Sequence, residues 1–248
     1  MKKSLLALLF AAATLAAGEI NIAVAANVSY AIDELKAEFA KSHPDTKVQV
    51  TLGSSGKLTA QIKNGAPYGL FMAANMKYPQ ALYSDKVAVT EPVVYAQGAL
   101  AYLSVKKQNF AEGITLLGSD KIGKIAVANP KTAPYGKAAI EAMKNGGVYE
   151  KAKEKFVFAE SISQTVTYAI TAADIGLIAK SSLYSDKMTQ YKEGVNWAAV
   201  DPKLYTPIKQ GIVLLKNSEG NGEYRAFYDF ILSAKAKAIL KAYGYIVE

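Results

Sequence analysis

The feature that most restricts how this chain can fold is a change of hydrophobic period that recurs along nearly its whole length. Residues 20–25, 47–52 and 70–73 read as short strands, and 30–41, 57–64 and 78–84 as amphipathic helices between and after them. Further strands fall at 124–128, 156–159 and 175–179, each followed by a helix or a turn. Strands that alternate with helices imply mostly parallel sheets covered on both faces, so the expected fold class is α/β. No internal repeat or low-complexity linker interrupts the pattern.

Two longer apolar stretches break the rhythm: 93–104, interrupted by Gln97-Gly98, and 205–216, interrupted by Gln210-Gly211. Each is long enough to leave one sheet and enter another with the glycine at the bend, although spacing alone fits a hairpin or bulge within one sheet equally well. With both as crossovers, residues 19–96 and 211–248 form lobe one and 97–210 form lobe two. Each lobe is then a mixed, mostly parallel sheet flanked by helices, and the two crossover strands are the hinge. A ligand would lie between the lobes, at the carboxyl ends of the strands.

Met1-Lys2-Lys3, the run from Leu5 to Ala17 made almost wholly of Leu, Ala and Phe, and then Gly18-Glu19 form a secretory signal peptide, residues 1–18. That run is too short for an anchored span. With no cysteine there is neither a disulfide framework nor a lipid-attachment site, which points to free diffusion in a periplasm. The net charge of +8 comes from scattered lysines, Arg225 being the single arginine. Such a surface suits mild steering of an anion and argues against nucleic acid as a partner.

Four strand-to-helix junctions stand out, two in each expected lobe. Ala25-Ala26-Asn27-Val28-Ser29 follows the first strand and Gly53-Ser54-Ser55-Gly56-Lys57 the second. Both put short amide or hydroxyl side chains where the first backbone N–H groups of a helix lack intrahelical partners. In the third, from Asn129 to Gly136, Pro134 fits the first helical position and leaves the Tyr135 amide free. In the fourth, Ser161 and Gln164 have capping-box spacing, which makes Ile162 the first helical residue with an uncommitted N–H. Simple helix capping explains any one junction; four of them at the strand ends facing a cleft point to a ligand.

Catalytic and metal-binding signatures are missing. His43, the only histidine, sits in Lys41-Ser42-His43-Pro44-Asp45, read as a solvated turn without a nucleophile or an orienting carboxylate. There is no GxSxG elbow, no GxxxxGK[ST] loop and no metal-ligand spacing, so neither an enzyme, a cofactor nor a resident metal is expected. Tyr224 and Tyr228, one helical turn apart, read as packing and not as ligands for a ferric ion.

These residues carry a resemblance. Ala25-Ala26-Asn27, the Gly53-to-Leu58 loop, Gln61-Ile62, Gly65-Ala66-Pro67, the run from Leu70 to Asn75, Asn129-Pro130 and Pro134-Tyr135-Gly136 are similar to the periplasmic molybdate-binding proteins of ABC transporters. Ala173 to Leu177, Phe227-Tyr228-Asp229 and Tyr243-Gly244-Tyr245 fit as well. The resemblance implies a monomeric, two-lobed binding protein that holds molybdate or tungstate by amides and hydroxyls and delivers it to a membrane permease–ATPase complex. It implies contacts from Ala26, Asn27, Ser54, Ser55, Tyr135 and Ile162. One branch of that family has a serine at the Asn27 position and a tyrosine where Ala179 aligns; Asn27 with Tyr135 resembles the other. A sulfate, other oxyanion or ferric-complex binder of the same fold is the alternative.

Overall fold

The computed structural model describes residues 18–247. The expected signal peptide up to Ala17 lies outside the described residues. Among them, no helix is long and apolar enough to cross a membrane.

The first sheet has the order β2-β1-β3-β10-β4, from β1 (Gly18–Ala25), β2 (Thr46–Gly53), β3 (Leu70–Ala73), β4 (Val93–Gly98) and β10 (Ile208–Leu214). Strand β1 runs parallel to β2 and β3, while β10 is antiparallel to β3 and β4. The second sheet repeats the plan as β7-β6-β8-β5-β9, from β5 (Leu100–Leu103), β6 (Ile125–Ala128), β7 (Phe156–Ala159), β8 (Ile175–Ala179) and β9 (Trp197–Ala199). Here β6 is parallel to β7 and β8, and β5 is antiparallel to β8 and β9. Strands β3, β5, β6 and β8 are buried at every residue, as expected where helices cover both faces.

Helices α1 (Ile32–Ala40), α2 (Ser55–Lys63) and α3 (Lys77–Ser84) join the strands of the first sheet. Helices α4 (Pro134–Asn145), α5 (Tyr149–Ala152) and α6 (Ile162–Thr171) serve the second, and α7 (Gly222–Leu232) with α8 (Ala234–Ala242) return to the first. One face of the first sheet packs Leu35 and Phe39 of α1 against Phe227 and Ile231 of α7 and Leu240 of α8. Tyr224 and Tyr228 belong to this core, and the Tyr224 hydroxyl accepts a hydrogen bond from the Asn21 amide at 3.0 Å. His43 is half-buried and not solvated as expected, because its ring stacks on Phe39 with centroids 4.2 Å apart.

The chain passes between the sheets twice. The first passage is the expected one, at Gly98 and Ala99 between β4 and β5. A side chain at Gly98 would place its Cβ 1.9 Å from the Tyr135 hydroxyl, so only glycine fits. The second passage lies earlier than residues 210 and 211: the chain leaves β9, turns at Pro202–Leu204 and is already in the first sheet at Ile208. Gln210-Gly211 instead marks a bulge where β10 shifts register on β4, since an apolar run of this length fits one long strand as well as a crossing. The Leu100 amide donates to the Tyr205 hydroxyl at 3.0 Å, lacing the two passages together.

Candidate oxyanion-binding site

Every parallel sheet sends its helix N-termini to the carboxyl edge, and here the two edges face each other. Ala26 opens a 3-10 turn after β1, and Ser54 is the N-cap of α2. From the other lobe, Pro134 and Tyr135 open α4 and Ile162 opens α6. Ala26, Asn27, Ser54, Ser55, Tyr135 and Ile162 all line one cavity, together with Ala25, Gly53, Ala74, Ala133 and Pro134. It is small, with about 10 Å³ open to the centre of a water-sized sphere. The structure thus brings together the six residues selected in the sequence.

Local geometry explains why their amides are available. Ser55, Tyr135 and Ile162 stand in the first turn of their helices, where no intrahelical carbonyl reaches back to the N–H. Ser161 caps α6 by accepting from the Gln164 amide at 3.3 Å. The reciprocal bond departs from the expected capping box, because Gln164 accepts from the Glu160 amide at 2.7 Å. Gly136 lets α4 start against the end of β6, since a Cβ there would lie 2.0 Å from the Ala128 carbonyl.

The cavity wall holds no lysine, arginine, histidine or carboxylate. Ser55 Oγ accepts from the Ala74 amide at 2.9 Å, which leaves its proton to be donated. Ser54 Oγ and Asn27 Oδ1 are buried without a hydrogen-bond partner. Buried polar atoms are almost always satisfied, so the orphan Ser54 hydroxyl is a donor left over for a ligand, whereas Asn27 Oδ1 is an acceptor. Below them, the Asn27 amide nitrogen donates to Gln210 Oε1 at 2.8 Å and to the Tyr245 hydroxyl at 3.0 Å. Burial raises Tyr95 and Tyr135 well above the usual phenol value and pushes Tyr245 up to about 12, so all three stay neutral.

The lobes are in contact over the cavity. The Gly56 amide donates to the Thr132 carbonyl at 2.9 Å, and Lys57 pairs with Glu160 on the exposed rim. A Cβ on Gly56 would lie 2.9 Å from Thr132 Cα. Ala25, Ala26 and Ala74 of the first lobe join the apolar cluster of Tyr135 and Ile162 in the second. Chemically, this is a buried, uncharged chamber rich in donors. Among the described residues no group of His, Cys, Asp or Glu could hold a metal ion.

Sequence reasoning missed Gln210, Tyr95, Tyr245 and Ser181, whose hydroxyl donates to the Asn27 carbonyl at 3.3 Å. Gln210 was visible as a lone amide within a strand-like apolar run, but only as a bend.

A family model described as bacterial extracellular solute-binding protein matches residues 20–246. The chain belongs to that family. Among the relatives of this solute-binding protein, the molybdate-binding protein ModA of Rhodobacter capsulatus is 37% identical over 94% of this chain and 90% of its own. ModA of Azotobacter vinelandii is 36% identical over 92% and 90%. The solved structure of the Azotobacter vinelandii periplasmic molybdate-binding protein matches with a TM-score of 0.84 at 30% identity, covering 92% of this chain and 99% of that one. Its fold is accordingly the two-lobed one expected, and like other solute-binding proteins it is not an enzyme.

Proposed function

We propose that this solute-binding protein captures molybdate between its lobes and hands it to an ABC importer, with tungstate as a second ligand of the same shape. The observation that carries the reading is the closed, uncharged cavity onto which helix and turn starts of both lobes converge. It is supported by relatives above 35% identity that are molybdate-binding proteins. Ala26, Asn27, Ser54, Ser55, Tyr135 and Ile162 are the ligand contacts in this reading. Residues 19–97 with 208–247 then move as one body and 100–204 as the other, about the passages at Gly98-Ala99 and between Leu204 and Ile208. The protein works as a periplasmic monomer, released from its signal peptide near Gly18.

Neutral dipoles suffice because a hydrogen bond to a charged group contributes about 1.5–3 kcal/mol net. Half a dozen such bonds outweigh the cost of association and support sub-micromolar binding, roughly −8 to −12 kcal/mol. A fully ionised dianion needs donors alone. Phosphate carries a proton near neutral pH and wants a carboxylate to accept it, and none lines the wall. Calorimetric titration with molybdate, tungstate, sulfate and phosphate tests the proposal. Molybdate should bind below micromolar and raise the melting temperature far more than sulfate at equal concentration. Tighter binding of phosphate or ferric citrate than of molybdate overturns it.

A further inference from the structure

Gln210 is not part of the cavity wall, yet it is fully buried directly behind Asn27. Its Oε1 accepts from Asn27 Nδ2 at 2.8 Å and from the Tyr95 hydroxyl at 2.7 Å, while its Nε2 donates to the Tyr135 hydroxyl at 3.1 Å. The second proton of Asn27 Nδ2 goes to the Tyr245 hydroxyl at 3.0 Å, which itself donates to the Asn27 carbonyl at 2.8 Å. Both amide protons of Asn27 are therefore turned inward. What remains for the cavity is Oδ1, an acceptor without a partner. An anion cannot use an acceptor.

A carboxamide can be turned over without moving any neighbouring heavy atom, because its nitrogen and oxygen are nearly isosteric. If Asn27 turned alone, its Oδ1 would face Gln210 Oε1, oxygen against oxygen. If both turn, Gln210 Nε2 donates to Asn27 Oδ1 and to the Tyr95 hydroxyl, and Gln210 Oε1 accepts from Tyr135. Asn27 Oδ1 then lies beside the Tyr245 hydroxyl, which turns its proton to it from the Asn27 carbonyl, still served by Ser181. The Tyr95 hydroxyl gives up Gln210 as its acceptor, and both Asn27 protons face the cavity.

We propose that Asn27 and Gln210 turn over together when the anion enters, so that Gln210 is a positioning residue that sets whether the site offers a carbonyl oxygen or an NH₂ group. The inference rests on the oxyanion reading and on Asn27 as a contact. Through Tyr135 the same turn reaches the second lobe, because Gln210 joins the side chain of one contact residue to the hydroxyl of another. Gln210 lies at the bulge of β10, and Gly98, at the first passage, packs against Gln210 Nε2 and the Tyr135 hydroxyl. Ligand orientation and lobe contact thus share one hydrogen-bonded element.

A double-mutant cycle separates positioning from plain packing. A serine hydroxyl at position 27 rotates freely and needs no partner to aim it. Gln210→Met should therefore weaken molybdate binding about tenfold in the otherwise unaltered protein. In the Asn27→Ser background the same change should cost no more than about twofold. Equal losses in both backgrounds overturn the proposal while leaving molybdate capture intact; no molybdate binding by the unaltered protein overturns the oxyanion reading and this inference with it. Should Gln210→Met fail to fold, the side-chain amide resonances of the unaltered protein decide. Adding molybdate should move both the Asn27 and the Gln210 NH₂ signals, and a Gln210 pair that stays in place while Asn27 moves overturns the coupled turn.

Discussion

The two walls of the cavity come from lobes with the same strand plan, but they face the ligand with different parts of the chain. The first wall presents the polar side chains of Asn27, Ser54 and Ser55. The second presents Ala133, Pro134, Tyr135 and Ile162, whose side chains offer the cavity no donor, because the Tyr135 hydroxyl lies at the first passage between the lobes, beside Gly98 and Gln210. Only its backbone amides remain. A site built this way is half written in side chains and half in helix starts, so side-chain truncation tests one wall and removal of an N–H tests the other.

The comparison breaks most severely if the walls cannot meet. Gly56→Val places a branched side chain against Thr132, and the second wall is then lost as a whole. Two forfeited charge-assisted bonds amount to roughly 3–6 kcal/mol, more than about a hundredfold in affinity. Titration should show that loss with an unchanged circular dichroism spectrum; affinity within about tenfold of the parent would mean that closure is not required.

Removal of a single amide from the second wall comes next. Ile162→Pro deletes the N–H at the first helical position, where proline is tolerated, and Ser161 already has the extended backbone (φ −137°, ψ 164°) that a following proline demands. The expected loss is about ten- to a hundredfold. Ile162→Ala keeps the donor and should bind nearly as well, although truncating a side chain that is only 5% exposed lowers the melting temperature. Equal binding by the folded proline and alanine variants would remove Ile162 from the site.

On the first wall, Ser55→Ala removes a hydroxyl donor and also strands the Ala74 amide. About a tenfold loss is expected in the same titration. His43→Ala, at the opposite end of the sheet, should cost stability through the lost stack on Phe39 and leave affinity unchanged. Smaller still is the rim: Lys57→Ala breaks an exposed pair worth at most about 1 kcal/mol, so affinity should fall less than about fivefold and the difference should vanish in high salt.

The smallest expected effect is that of pH. No wall residue titrates near neutrality, so molybdate affinity should stay flat between about pH 7 and 9. The buried phenols hold their protons more tightly folded than unfolded, so their contribution to stability is complete below about pH 10 and is lost as pH rises toward their folded values. A melting temperature that fell between pH 7 and 9 would contradict this neutral core.

Much of the fold was legible because parallel strands buried on both faces read as short unbroken apolar runs. Residues 70–73 and 175–179, buried throughout, were delimited as the structure has them, and so was the edge strand 156–159, where Phe158 is exposed. The second crossing was misplaced because the length of an apolar run does not reveal which sheet receives it, and Gly211 answers to the nearby Met76 sulfur instead of to a bend. Strand β9 was overlooked: it has only three residues and its partner β5 precedes it by almost a hundred positions. At the site, helix-start chemistry is local and could be read. The Gln210 network joins residues from five separate segments, and nothing in sequence spacing announces such a meeting.

That meeting has a consequence for the order of events during folding. Strand β10 is inserted between β3 and β4, so the first sheet has a gap until position 214 is available, while every strand of the second sheet lies within one continuous stretch. Asn27 is held by Tyr245, 218 residues further on. Contacts of such long range form late, after the loop between them has been closed. A nascent chain can therefore complete its second lobe first, yet it has no finished recognition chamber until nearly its last residues have docked.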